Sequence, residues 1–372
     1  MATIRIFAED DLPAVAALFG RVFPDHRWPS PAACESSFRE VLFHNPWRDP
    51  ELPSWVAEED GRITGFLGVV PRRMLLRGRP IRVAVGVHFM VDPDQRHSLT
   101  VLQLVKACFS GPQDLYLADG ASDQSRHLWI RLGGTASLHY SLQWIWPLRP
   151  ARCALSLLQV RGVVPAPLAL AARPLVALTD ALAARLLPNW FLREETGVAE
   201  DALDSATISA HLPDVMGSSA LQPVYDVHSL AWLLEQAARM TRHGTLRGRA
   251  VLDRERRLIG WYLYYVLSGG VSEVLQIEAR NGSFDRVLQR LLADAWRHGA
   301  AAVRGRLDPR YVQELSDRHC WLRTGGIWTL VHSRDADIIA AIRQGDAFLS
   351  RLEGEWCVMG EWWRGAKHVV RA

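Results

Sequence analysis

Apolar positions along the chain recur either every second residue or about every 3.6 residues, and the switches between these periods mark out successive strands and helices. Ile4 to Phe7 reads as a strand. Asp10 and Asp11 then start a helix whose apolar positions are Ala14, Val15, Leu18, Phe19 and Val22. Strands follow at 54–58, 63–70 and 83–91, then a loop at 92–97, a helix over 98–110, a strand at 114–118, a helix over 123–132 and a strand at 137–144. The same order returns later: strands at 249–253, 258–266 and 271–277, a loop at 280–283, a helix to Arg297, a strand at 301–307, a helix over 310–323 and a strand at 328–332.

This return is also written in the letters. Residues 125–134 (SRHLWIRLGG) align without gaps on 317–326 (DRHCWLRTGG), with six identities in ten positions at an offset of 192. Residues 56–66 resemble 251–261 at an offset of 195, both reading as strand, charged turn, strand. Two matches in the same order argue for a duplicated domain. The expected organisation is an α/β unit over 1–150, an apolar helical linker over 151–215 and a second α/β unit over 216–372. Within the linker, 154–190 is rich in Ala, Leu, Val and Pro. Its apolar spacing is helical, but Pro165, Pro167, Pro174, Arg173, Asp180 and Arg185 interrupt any run long enough to span a bilayer. It is expected to pack on both domains, or to touch a membrane surface or a partner protein.

Composition narrows the class. With 372 residues, 49% hydrophobic and 22% charged, the chain can bury a core in each of two domains. Lys and Arg (43) nearly balance Asp and Glu (40), with no concentrated basic stripe, so no nucleic-acid partner is expected. Five scattered cysteines form no CxxC pair and no zinc spacing, so the expectation is a reducing cytoplasm and no metal. The acidic start lacks the pattern of an export signal.

No phosphate-loop GxxxxGK[ST], GxSxG, HExxH or dinucleotide GxGxxG motif is present. What stands out is Val91-Asp92-Pro93-Asp94-Gln95-Arg96 between a strand and a helix, with Trp129-Ile130-Arg131-Leu132-Gly133-Gly134 closing the next helix. This order resembles the GNAT N-acetyltransferases over nearly all of both halves. The resemblance implies two tandem GNAT-like domains, each a mixed, mostly antiparallel sheet flanked by helices. It also implies acetyl-CoA or another acyl-CoA as co-substrate, its pyrophosphate held by amides at a helix N-terminus, an arrangement that suits anions on physical grounds alone.

Carried onto this chain, the cofactor loop is Val91, Arg96, His97, Ser98, Leu99 and Thr100. His97 to Thr100 stand where the family has glycines. The second loop is Arg280, Gly282 and Ser283. The family's acid, a tyrosine, is replaced by Trp129 and Trp321, whose indoles supply no usable proton. Candidate bases are His88, on the motif strand and with a suitable ordinary pKa; Asp119 and Asp123, where the resemblance implies that the sheet splays; and Glu278, at the end of the second motif strand. The repeated Arg126-His127 and Arg318-His319 pairs read as structural. The aromatic and charged stretch 350–356 and Trp362-Trp363 either line a cleft between domains or pack the C-terminal segment. The expected activity is transfer of an acyl group to an amine or hydroxyl of a small molecule. Aminoacyl transfer of the FemAB-like kind, or a non-catalytic acyl-CoA-binding or scaffold protein, stays open.

Overall fold

Most of the β-branched and aromatic runs become strands of two sheets in the computed structural model, which describes residues 2–24, 28–95, 99–160, 162–186, 198–217, 219–324 and 326–359. The first sheet is built from β1 (Thr3–Ile6), β2 (Trp55–Glu59), β3 (Arg62–Leu76), β4 (Arg79–Val91) and β5 (Leu115–Ala121). β1 to β4 are antiparallel neighbours, and β4 and β5 are parallel. In the second sheet, β10 (Thr245–Leu252), β11 (Leu258–Val266) and β12 (Val271–Ala279) are antiparallel neighbours, and β12 is parallel to β13 (Ala302–Arg306). The hairpins β2–β3 and β10–β11 are the repeated stretches read from the sequence. Their turns place Asp60, Gly61 and Arg256 at positive φ. The mixed, mostly antiparallel α/β architecture expected from the sequence is the observed one.

The two units exchange strands. β7 (Leu142–Pro147) follows the first unit in sequence yet pairs with β13 and with β14 (Trp321–Thr324). β15 (Trp328–His332) follows the second unit yet pairs with β5 and with β6 (Thr135–Ser137). The single strand expected at 137–144 is therefore divided, at the tight turn His139–Ser141, between two sheets. The helix expected over 310–323 is shorter: a turn at Pro309–Tyr311, a helix over Val312–Asp317, then β14. In consequence Trp129 and Trp321, matched in sequence, differ in setting. Trp129 is buried on a helix and Trp321 is exposed on a strand.

Helices α1 (Leu12–Val22) and α2 (Pro31–Phe43) cover one face of the first sheet, and α3 (Leu99–Phe109) and α4 (Asp123–Arg131) the other. α2 starts on Ser30, whose hydroxyl accepts the Ala33 N–H at 3.1 Å. The residues of 151–215 form α5 (Pro150–Val160) and α6 (Ala166–Leu186), then β8 (Ala199–Ala202), which joins the second sheet, and α7 (Ser205–Met216). Asp180 on α6 caps α5 by accepting the Ala151 and Arg152 N–H groups at 2.9 and 3.2 Å. Among the described residues no helix is long and apolar enough to cross a membrane. α6 nonetheless exposes Leu168, Leu175, Leu178 and Leu182 on one face.

α8 (Val227–Arg239) completes a core shared by both sheets: Val70, Val83 and Val85 of the first meet Trp261, Leu263 and Tyr265 of the second. Along β11 the alternate residues Tyr262 and Tyr264 face the opposite way, onto α9 (Phe284–Arg297). The segment 347–359 closes this shared core, and Leu352 and Cys357 are fully buried in it.

Candidate functional site

β4 and β5 pair only from Val83 to Val85 against Leu115 to Leu117, although β4 runs to Val91 and β5 to Ala121. Beyond that register they part and leave a V-shaped cleft. The opening has a local cause. Phe66 pairs with Met90 while Gly68 pairs with Val87, so β4 carries an extra residue there, and His88 takes φ +49°. β12 repeats the device: it pairs with β13 only over Val271–Glu273, and it is bulged opposite Leu263 and Tyr264.

His88 is buried, with its ring stacked on Phe38 at 4.8 Å and edge-on to Phe19 at 5.5 Å. Its imidazole thus belongs to the aromatic core under α1 and α2. Its backbone N–H is what serves the cleft, where it donates to the Glu355 carboxylate. Asp119, on β5, is fully buried at the mouth of the V. Its Oδ1 accepts the Glu355 N–H at 2.8 Å, and its Oδ2 accepts from Arg306 Nη2 at 2.8 Å. Burial, and then the neighbouring Asp119, push the Glu355 carboxyl up to about 8, against the pull of the His88 amide.

Asp123 lies apart from this cluster. It opens α4, is exposed, and holds Trp328 Nε1 at 2.8 Å and Arg126 at 3.4 Å. Glu278 lies at the second V, buried, with Arg310 at 2.8 Å and the Tyr311 hydroxyl at 3.3 Å. Burial outweighs Arg310 and pushes its carboxyl up to about 8. Glu273, deeper in the same V, goes the other way: burial would raise it, but Arg304 and Arg351 hold it down at about 2. Of the four candidate bases, only His88, through its amide, and Asp119 meet in one place.

Of the first cofactor loop, Arg96, His97 and Ser98 lie outside the described residues. Val91 is buried against Leu104 of α3, Thr100 is buried, and Leu99 is exposed at the helix start. The turn before the loop is pinned by Asp92, which accepts from Arg21 at 3.0 Å and from Arg62 at 2.8 Å. In the second loop Gly282 has φ +74°, a left-handed position where a side chain is strained. Ser283 precedes α9 and its hydroxyl makes no capping bond. Arg280 pairs with Asp214 at 2.5 Å and borders a cavity of about 440 Å³ that is also lined by Arg256, Arg257 and His211.

Sequence reasoning missed the roles of Glu355 and Arg306. The stretch 350–356 does lie between the two units, but nothing in its composition marked one carboxyl for the cleft. The indole at the family's tyrosine position is committed to structure: Trp129 Nε1 donates to the Val331 carbonyl at 2.9 Å. Among the described residues no cluster of His, Cys, Asp and Glu suits a metal ion.

Comparison with known proteins agrees with this geometry. Residues 3–111 match the acetyltransferase (GNAT) domain family. No curated protein matches the chain. Among solved structures, it resembles a probable N-acyltransferase of unknown function from Enterococcus faecalis, with TM-score 0.59 and 10% identity over 90% of this chain and 72% of that one. It also resembles GCN5-related N-acetyltransferases from Anabaena variabilis (TM-score 0.57, 9% identity, 89% and 72% covered) and Kribbella flavida (0.54, 14%, 89% and 70%). These likenesses bear on the fold. The matched domain makes residues 3–111 GNAT-like in sequence, and the chain as a whole shares the fold of these structures.

Proposed function

We propose that the chain transfers an acyl group from acyl-CoA to the amine of a small-molecule acceptor, in the cleft between β4 and β5. The observation that carries this reading is the pairing, in one V, of a bulge amide at His88 with a buried carboxylate at Asp119. The amide is a donor for the thioester carbonyl and for the oxyanion that develops on it. Asp119, oriented by Arg306, takes the proton that the amine loses as its nitrogen bonds to the carbonyl carbon. The C–S bond breaks, and the CoA thiolate is protonated from solvent. The N-terminus of α3 is the place for the pyrophosphate.

Calorimetry with acetyl-CoA and a thiol-release assay across an amine panel test the proposal. Asp119→Asn should retain acetyl-CoA binding and lose roughly 100-fold or more in thiol release. Absence of acetyl-CoA binding by the wild type would overturn it. Binding without release on any amine would favour the second reading, a non-catalytic acyl-CoA-binding protein. That reading draws on Trp129, which fills the tyrosine position and has its one donor engaged.

A further inference from the structure

The cleft assigned above to acyl transfer is filled by the chain itself. We propose that Ser350–Cys357 is an internal occupant of the acyl-transfer cleft and that acyl-CoA and this segment exclude one another. The inference rests on the proposed function and adds a regulation to that site.

Four observations support it. The Glu355 carboxylate already takes the His88 amide, and one N–H aimed into a narrow V cannot also serve a thioester carbonyl. The fit is built from both sides by glycine: a Cβ on Gly120 of β5 would fall on the Glu355 carboxylate, and a Cβ on Gly354 would fall on that of Asp119. The segment's other end engages the second V. There the Arg351 N–H donates to Leu275 O at 3.1 Å, at the β12 bulge, its guanidinium pairs with Glu273 at 2.7 Å, and Gln276 reaches Ser350 Oγ at 3.2 Å. Arg306, which holds Asp119, also bonds the Ser350 carbonyl at 3.3 Å, so the segment runs from one V to the other across that ion pair.

The seat is also poorly suited to permanence. It places two carboxyl groups, Glu355 and Asp119, side by side in a buried site, an arrangement that disfavours their joint ionisation. A segment held by main-chain bonds but burdened in this way can yield to a ligand that brings its own carbonyl to the same amide.

The test measures hydrogen exchange of 350–358 and the acetyl-CoA dissociation constant for the full chain and two variants. Glu355→Ala removes the carboxylate from the His88 amide without adding bulk. Gly354→Ala forces the segment off Asp119. Saturating acetyl-CoA should speed exchange in 350–358 of the wild type, and each variant should bind acetyl-CoA roughly tenfold more tightly, because less of the protein is held in the occupied form. If acetyl-CoA binds while exchange in 350–358 is unchanged or slowed, or if both variants bind no better than wild type, the inference fails and the acyl-transfer reading survives. If neither wild type nor variants bind acetyl-CoA, both fail.

Discussion

Asp119 and Arg306 occupy the same place in the two sheets, each four residues past the first residue of its strand's parallel pairing, and they bond to one another at 2.8 Å. The two sheets therefore meet through equivalent positions that carry opposite charges. Asp119 is fully buried and the Arg306 side chain is 10% exposed, so the pair is sensitive to loss of either member.

Asp119→Ala or Arg306→Ala alone should cost about 3–5 kcal/mol, because each strands the other charge in the interior. The double variant should cost clearly less than the sum of the two. Urea unfolding of the four proteins measures this, and strict additivity would show that the charges do not interact.

Glu278 and Glu355 make stability fall as pH rises. Both carboxyls are raised to about 8 in the folded chain, so between the ordinary carboxyl range and pH 8 the native state holds protons that the unfolded chain has released. Their stabilising contribution is complete below about pH 4.3 and is lost as pH climbs through 8. Glu278→Gln and Glu355→Gln should flatten the stability profile between pH 5 and 8. Glu273, held at about 2, has the opposite sign: its contribution is present at neutral pH and disappears on acidification towards 2.

Arg72 should be replaceable at a profit. It is buried, its Cζ lies 4.2 Å from the Trp47 ring centroid, and its Nε and Nη2 have no hydrogen-bond partner among the described residues. Arg72→Met keeps the stacked apolar volume and removes a charge whose burial outweighs the pull of nearby Cys357, Tyr225 and Glu353, so the unfolding free energy measured in urea should rise by about 1 kcal/mol or more. A fall of that size would mean that the interactions with Glu353 and Cys357 outweigh the cost of burying the guanidinium.

Trp129→Phe should cost about 1–3 kcal/mol, since it leaves the buried Val331 carbonyl without its donor. Thermal unfolding checks the loss, and an unchanged midpoint would mean that the bond between α4 and β15 contributes nothing.

Local patterns carried most of the elements. The hairpins β2–β3 and β10–β11 and the two motif strands lie where the alternation and charged turns put them, because short-range periodicity reports which face is buried. It does not report which sheet a strand joins. β7 and β15 were legible as strands, and their exchange was not. The 310–323 stretch shares Arg, His and Trp with its partner, yet tertiary pairing with β7 draws Trp321–Thr324 into a strand. At the site, His88 was legible as a polar residue on the motif strand, whereas its ring lies in the aromatic core and the group that meets Glu355 is its main-chain N–H. The contact of Glu355 with Asp119 spans 236 positions, beyond the reach of any local pattern.

The reciprocal exchange of β7 and β15 has a consequence for how the molecule can be divided. Each half of the sequence lends the other a strand interior to its sheet, so a fragment cut between the units would present an empty slot and a surplus strand. Two such fragments, expressed together, would behave as the subunits of a heterodimer whose mutual complementation is compulsory. In its strand pairing the chain is thus arranged like an intertwined dimer joined into one polypeptide.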